Sequence, residues 1–167
     1  MSVYFTSDLH LGHLLASDKR GFKDIRVHDE TVLASLAVID NKRTVLYILG
    51  DVAMDPKMLP RLKELKCRKI LVRGNHDTYK LSEYLDVFEE IHGFVKYKGM
   101  WLSHCPIHPQ EMFRAEVNVH GHIHKGALTK PLGFPYINVN WDFWHRPLSL
   151  DEVKVLIESR SDGLLEN

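Results

Sequence analysis

Five short clusters of metal-ligating residue types are scattered along the chain: Asp8-Leu9-His10, Gly50-Asp51, Gly74-Asn75-His76-Asp77, His104 and His120-Gly121-His122-Ile123-His124. Each follows or sits close to a short apolar run, which is where a sheet-based enzyme collects residues from distant parts of its sequence into one pocket. Together they supply imidazole, carboxylate and amide-oxygen donors. They read as a two-metal hydrolase site.

Taken singly, the clusters differ in how much they say. Asp8 and His10 stand two apart at the end of an extended segment, so both side chains can leave on one side and share a metal; alone, so short a pair more often marks a helix-capping aspartate and a surface histidine. Asp51 follows a strand and a glycine that permits close backbone approach, and its carboxylate has two oxygens with which to bridge two cations. Gly74-Asn75-His76-Asp77 packs an amide oxygen, an imidazole and a carboxylate into one turn. His104 alone fits a hydrogen-bonded structural histidine better than a ligand. The run from His120 to His124 places three histidines in five residues, aimed to one side if the segment stays extended, and such tracts are commonly metal sites. Cys105 reads as an inert buried thiol, because the chain has two cysteines and no Cys-x-x-Cys spacing.

The elements that must position these residues follow from periodicity. Residues 3–7, 44–49 and 69–72 are short runs rich in β-branched and aromatic side chains, each ending in Gly, Asp or Asn turn chemistry, and predict strands. Between them, residues 31–40 carry Val32, Leu33, Leu36 and Ile39 at helical spacing, and residues 56–66 carry Met58, Leu59, Leu62 and Leu65 behind an Asp55-Pro56 start signal. Strand, helix, strand, helix, strand favours parallel pairing with crossover helices. Beyond residue 90, residues 94–97, 100–103, 116–120 and 136–139 predict short strands, the first two forming a hairpin hinged near Lys98-Gly99. A last helix begins at Ser149, where Ser149-Leu150-Asp151-Glu152 fits a capping box.

Composition bounds the rest. At 167 residues the chain is most economically one domain, residues 1–167. Lysine plus arginine equal aspartate plus glutamate at 22 each, so no bulk basic field points to nucleic acid or anionic membrane. A local basic patch is left open. Two cysteines give no disulfide framework, the N-terminal stretch lacks the pattern of a secretion signal, and no apolar stretch approaches ~20 residues. A cytoplasmic protein without membrane insertion is expected.

The ordered set D-x-H, G-D, G-N-H-D, H, G-H-x-H resembles the calcineurin-like metallophosphoesterase superfamily over roughly residues 4–145. Its compact prokaryotic and phage members are similar in Phe5-Thr6-Ser7-Asp8-Leu9-His10-Leu11-Gly12-His13, Arg73-Gly74-Asn75-His76-Asp77 and Leu102-Ser103-His104-Cys105-Pro106, and also around Asn138-Val139-Asn140 and Arg146-Pro147-Leu148-Ser149-Leu150. The position of Cys105 is more often aromatic in those relatives, a departure that leaves the ligand positions intact. The resemblance implies an α/β fold, a four-layer α/β/β/α sandwich with the site at the C-terminal ends of its central strands.

It also implies roles. Asp8, His10 and His124 would hold one metal, Asn75, His104 and His122 the other, and Asp51 would bridge them. His76 would stabilise the transition state or protonate the leaving oxygen, Asp77 would orient its ring, and Arg73 and His13 would contact phosphate oxygens, with His120 a neighbour. Two divalent cations ~4 Å apart deprotonate a shared water, whose pKa falls from ~15.7 toward neutrality, and a bridging hydroxide then attacks phosphorus in line. Manganese is the first expectation, with iron, zinc or nickel compatible with these donors. The expected substrate is a small phosphoester, a phosphodiester in preference to a phosphomonoester, bound in an open cleft with contacts from loops 14–29 and 106–115, including Lys19, Arg20, His28, His108 and Arg114. Two alternatives stand beside it: a nuclease acting on single-stranded nucleic acid, which charge does not favour, and a non-catalytic scaffold of the same fold that binds protein, which would predict a broken ligand set.

Overall fold

The computed structural model describes residues 1–125 and 135–161, apart from the side chains of Arg114, Arg160 and Ser161. Among the described residues nine strands form two sheets: β1 Ser2–Thr6, β2 Thr44–Ile48, β3 Arg68–Val72, β4 Glu90–His92 and β9 Leu148–Ser149 in one, and β5 Phe94–Tyr97, β6 Met100–Ser103, β7 Val117–His120 and β8 Tyr136–Asn138 in the other. The first sheet has the order β4-β3-β2-β1-β9, parallel except for the short antiparallel edge strand β9. The second has the order β5-β6-β7-β8, with β5 antiparallel to β6 as the expected hairpin and the remaining pairs parallel.

Strand β2 is buried at every position, which a central parallel strand covered on both faces requires. Its alternate residues feed two cores. Leu46 and Ile48, with Leu71 of β3, meet the helices α2 Ile25–Ala37, α3 Leu59–Lys63 and α4 Leu81–Leu85 through Val32, Leu33, Leu36, Leu59, Leu62 and Tyr84. Val45 and Tyr47, with Phe5, Ile70 and Val72, meet Met100, Leu102, Val117, Val119 and Ile137 of the second sheet. The helix α6 Leu150–Ser161 adds Val153 to this inter-sheet core beside β1, β8 and β9. On the outside of the second sheet a 3-10 turn, Pro109–Arg114, accepts a hydrogen bond from Trp101 Nε1 at the Glu111 carbonyl. Helices, sheet, sheet and a thin outer layer make the α/β/β/α order that was expected.

Several boundaries differ from the periodicity reading. α2 begins at Ile25, capped by Asp24 accepting from the Arg26 amide, rather than at Thr31. With the short helix α1 Leu14–Lys19 before it, the expected substrate loop 14–29 is largely helical. The segment expected as one helix over 56–66 is a 3-10 turn, Pro56–Met58, running into α3, because Pro60 interrupts the first turn. At the other end, Ser149 and Glu152 form the expected capping box: Glu152 accepts from the Ser149 amide and hydroxyl at 2.8 Å each, and the Glu152 amide donates to Ser149 Oγ at 3.2 Å.

Candidate metal centre

The parallel strands all release their chemistry at their C-terminal ends. Asp8 and His10 follow β1, Asp51 follows β2, Asn75 and His76 follow β3, His104 follows β6, and His122 and His124 follow β7. The loops are laced together by their backbones: the Asp8 amide donates to the Gly50 carbonyl at 2.9 Å, that of His10 to Asp51 at 3.0 Å, and that of Gly121 to His104 at 2.9 Å.

Asp8 and His10 do not leave an extended segment as the spacing suggested. Of the six described non-glycine residues in the left-handed region, four are Asp8 (φ 56°), His10 (φ 50°), Asp51 (φ 55°) and His122 (φ 65°). Such backbone costs on the order of 1–3 kcal/mol per residue and persists where surrounding structure over-determines it. The glycines make room for it. A Cβ on Gly74 would land on Asp51 Oδ1, and one on Gly121 would land on Ser7 Oγ and Asp8 Oδ2.

Two donor groups result. In the first, His10 Nε2 and His124 Nε2 lie 3.2 Å apart, Asp8 Oδ1 is 3.5 Å from His124 Nε2 and 3.8 Å from His10 Nε2, and Asp51 Oδ2 is 3.8 Å from His10 Nε2. In the second, His104 Nε2 is 2.9 Å from Asn75 Oδ1, 3.2 Å from His122 Nδ1 and 3.5 Å from Asp51 Oδ1. One oxygen of Asp51 faces each group. Ligand bonds of about 2.1 Å at roughly 90–110° put neighbouring donors ~3.0–3.4 Å apart, close to these spacings.

The protonation states carry the same message. His104 Nδ1 lies 2.8 Å from the Leu49 carbonyl, which can only accept, so Nδ1 donates and Nε2 is the ring nitrogen turned toward the amide of Asn75. Asp8 Oδ1 is fully buried without a hydrogen-bond partner, while its other oxygen accepts from the His122 amide at 2.9 Å. Burial pushes the Asp8 carboxyl up to about 6 and, with the neighbouring His124 and Arg20 charges, pulls His10 down to about 2. A neutral imidazole and an orphaned carboxylate oxygen fit a divalent ion.

A further shell was not foreseen. His124 Nδ1 is 2.6 Å from Asp142 Oδ2, at the start of the short helix α5 Trp141–Trp144. Burial raises the Asp142 carboxyl, but His124 and Arg20 outweigh it and hold the group down at about 2, while Asp142 in turn raises His124. Arg20 and His28, expected on a substrate loop, are instead interior: Arg20 reaches Asp142, and His28 is fully buried between Arg20 and Asp29. Nothing in a lone Asp eighteen residues beyond His124 marks it as that ring's partner, and Arg20 follows Asp18-Lys19, which reads as a solvated stretch.

The other sequence candidates fall as follows. The His76 ring lies 5.9 Å from that of His10 and 6.4 Å from that of half-buried His13, while its amide donates to Asp51 Oδ1 at 2.9 Å. Asp77 does not orient the His76 ring; its carboxylate accepts from the amides of Asp51, Val52 and Gly74 at 2.9, 2.9 and 2.8 Å and so clamps the two ligand turns together. The Arg73 guanidinium is turned onto the Asp77 carbonyl and lies 5.8 Å over the Tyr84 ring. His120 stays in β7, buried, with Nδ1 against the Gly121 carbonyl, because the run leaves the extended conformation after it. Cys105 is exposed rather than buried, and its sulfur lies within 4.8 Å of ligand atoms of His104 and His122. The Arg114 side chain lies outside the described residues.

The calcineurin-like phosphoesterase model matches residues 1–160, and the chain belongs to that family. The chain is similar to the Gene 66 proteins of Mycobacterium phage L5, with 27% identity over 93% of this chain and 94% of the relative, and of phage D29, with 28% identity over 98% and 99%. A crystal structure of a protein of unknown function from Aquifex aeolicus superposes with a TM-score of 0.74 at 29% identity, covering 93% of this chain and 99% of that one. A Pseudomonas putida nuclease (TM-score 0.51, 20% identity, 73% of this chain and 61% of that one) and an archaeal phosphodiesterase (TM-score 0.52, 15% identity, 84% and 82%) share the fold.

Proposed function

We propose that this protein is a dimetal-dependent phosphoester hydrolase of one domain, working on small phosphodiesters in preference to monoesters, with manganese in both sites. The carrying observation is Asp51, whose two oxygens face two separate sets of donors, Asp8, His10 and His124 on one side and Asn75, His104 and His122 on the other. Bound there, divalent ions supply an acidified water and positive charge against the phosphoryl oxygens. The protein's own residues supply the rest.

The second group is the more open one: Asn75 and His122 are exposed over a buried His104, whereas in the first Asp8 and His10 are buried and His124 is partly covered. A phosphoester therefore approaches over His122 and Asn75, and reaches His76 and His13 on the same rim. His76, held in place by its own amide on Asp51, carries a proton to the leaving oxygen. His13 steadies a phosphoryl oxygen. Arg73 serves as a phosphate contact only after leaving the Asp77 carbonyl. Two unpaired cysteines agree with a cytoplasmic setting, and no described helix is long and apolar enough to cross a membrane.

Manganese-loaded protein is expected to hydrolyse bis-p-nitrophenyl phosphate faster than p-nitrophenyl phosphate, with cyclic nucleotides and a single-stranded oligonucleotide completing the panel. A monoester preference overturns the diesterase assignment, and an oligonucleotide preference replaces it with a nuclease. His76→Ala is expected to keep both ions while losing about 10²–10⁴-fold in turnover. Full metal loading with no hydrolysis across the panel would instead favour the scaffold.

A further inference from the structure

We propose that Arg20 is a positioning residue for the first donor group alone, so that the two ions are held by unequal means. The inference rests on the dimetal reading above. All three nitrogens of the Arg20 guanidinium are committed. Nε and Nη2 both reach Asp142 Oδ1 at 2.7 Å, Nη2 also donates to the Asp8 carbonyl at 2.6 Å, and Nη1 donates to the Leu9 carbonyl at 3.0 Å and lies 2.8 Å from His28 Nε2. The side chain is 6% exposed, and the guanidinium carbon sits 4.9 Å from the Trp141 ring centroid.

Three of these contacts bear on the ligands of one ion: directly at Asp8, through the Leu9 carbonyl between Asp8 and His10, and through Asp142 on His124. The Asp8 and Leu9 carbonyls belong to the left-handed turn that aims Asp8 and His10, so the guanidinium secures two strained ligands through their backbone. Asp142 passes the same charge to His124: its Oδ2 accepts a hydrogen bond from His124 Nδ1–H, which orients the ring with Nε2 facing Asp8. His28 completes the brace. Since an arginine cannot accept, His28 Nε2 does, and His28 Nδ1 donates to Asp29 Oδ1, which also accepts from the Gly12 amide at 3.0 Å. In the second group, by contrast, His104 leans on the Leu49 carbonyl, a neutral acceptor. A lysine has one nitrogen and no planar fork, so it cannot reproduce the bonds of Arg20.

The test uses full-length wild type, Arg20→Lys and Asp142→Asn, loaded with manganese and freed of excess. Bound ions are counted by elemental analysis, and coupled ion pairs are separated from isolated ions by electron paramagnetic resonance. Wild type is expected to hold two coupled ions. Each variant is expected to weaken one site by about 10–100-fold, leaving a single ion with the signal of isolated Mn(II) while the other site is unchanged. Asp142→Asn is near-isosteric and keeps the carbonyl bonds of Arg20, so it decides the matter should Arg20→Lys fail to fold by circular dichroism. Variants that keep two ions at wild-type affinity, or that weaken both sites equally, overturn the inference. A wild type that takes up no manganese overturns the dimetal reading itself.

Discussion

Asp51 is held from three directions, by the Asp77 carboxylate on its amide, by the His76 amide on its Oδ1, and by the close backbone of Gly74. Its side chain is therefore set before any ion arrives, and Asp51→Asn is expected to cost both ions at least tenfold in affinity rather than one, read by calorimetric manganese titration. Gly74→Ala is expected to do the same without altering a ligand, since its methyl group would occupy the place of Asp51 Oδ1. The ligand types were readable in the chain because carboxylate, amide and imidazole groups after apolar runs are uncommon together. Arg20 and Asp142 were not, because a brace is defined by contacts between the residue that follows α1 and one in α5, 122 residues apart in sequence, and no local pattern encodes such a pairing.

At the level of elements, the apolar runs of β1, β2 and β3 were legible as parallel strands because both faces are buried. The short helices α1, α4 and α5 were not, because four to six residues make too little of a helical stripe to see. Leu36, fully buried where α2 meets β2, anchors the helical layer. Leu36→Ala is expected to cost ~2–5 kcal/mol in denaturant unfolding. The cap of α6 titrates in a definite direction. Arg146 and the Ser149 bonds hold Glu152 down at about 2 against an ordinary 4.5. A depressed carboxyl stabilises the fold above its unfolded pKa and loses that contribution as pH falls through the folded one. Glu152→Gln is thus expected to lower the melting temperature at pH 7, with the gap to wild type closing between pH 4.5 and 2.

Across the whole molecule, the layer order was reached only through the family resemblance; periodicity by itself gave parallel pairing in the first sheet and one hairpin, and left the parallel pairing of β6, β7 and β8 unread. The β6–β7 connection carries only the 3-10 turn Pro109–Arg114, not the long helix that usually announces a parallel pair. The donors divide between the sheets: Asp8, His10, Asp51 and Asn75 follow strands of the first, and His104, His122 and His124 follow strands of the second. An ion shared by His10 and His124 would therefore work as a reversible cross-link closing 114 residues of chain, doing for two stacked sheets what a disulfide does in a secreted domain. Free manganese at 100 times its dissociation constant is expected to add about 2.7 kcal/mol per independent site. Hydrogen exchange should then slow in β1 and β7 together on loading and quicken in both when a chelator strips the metal.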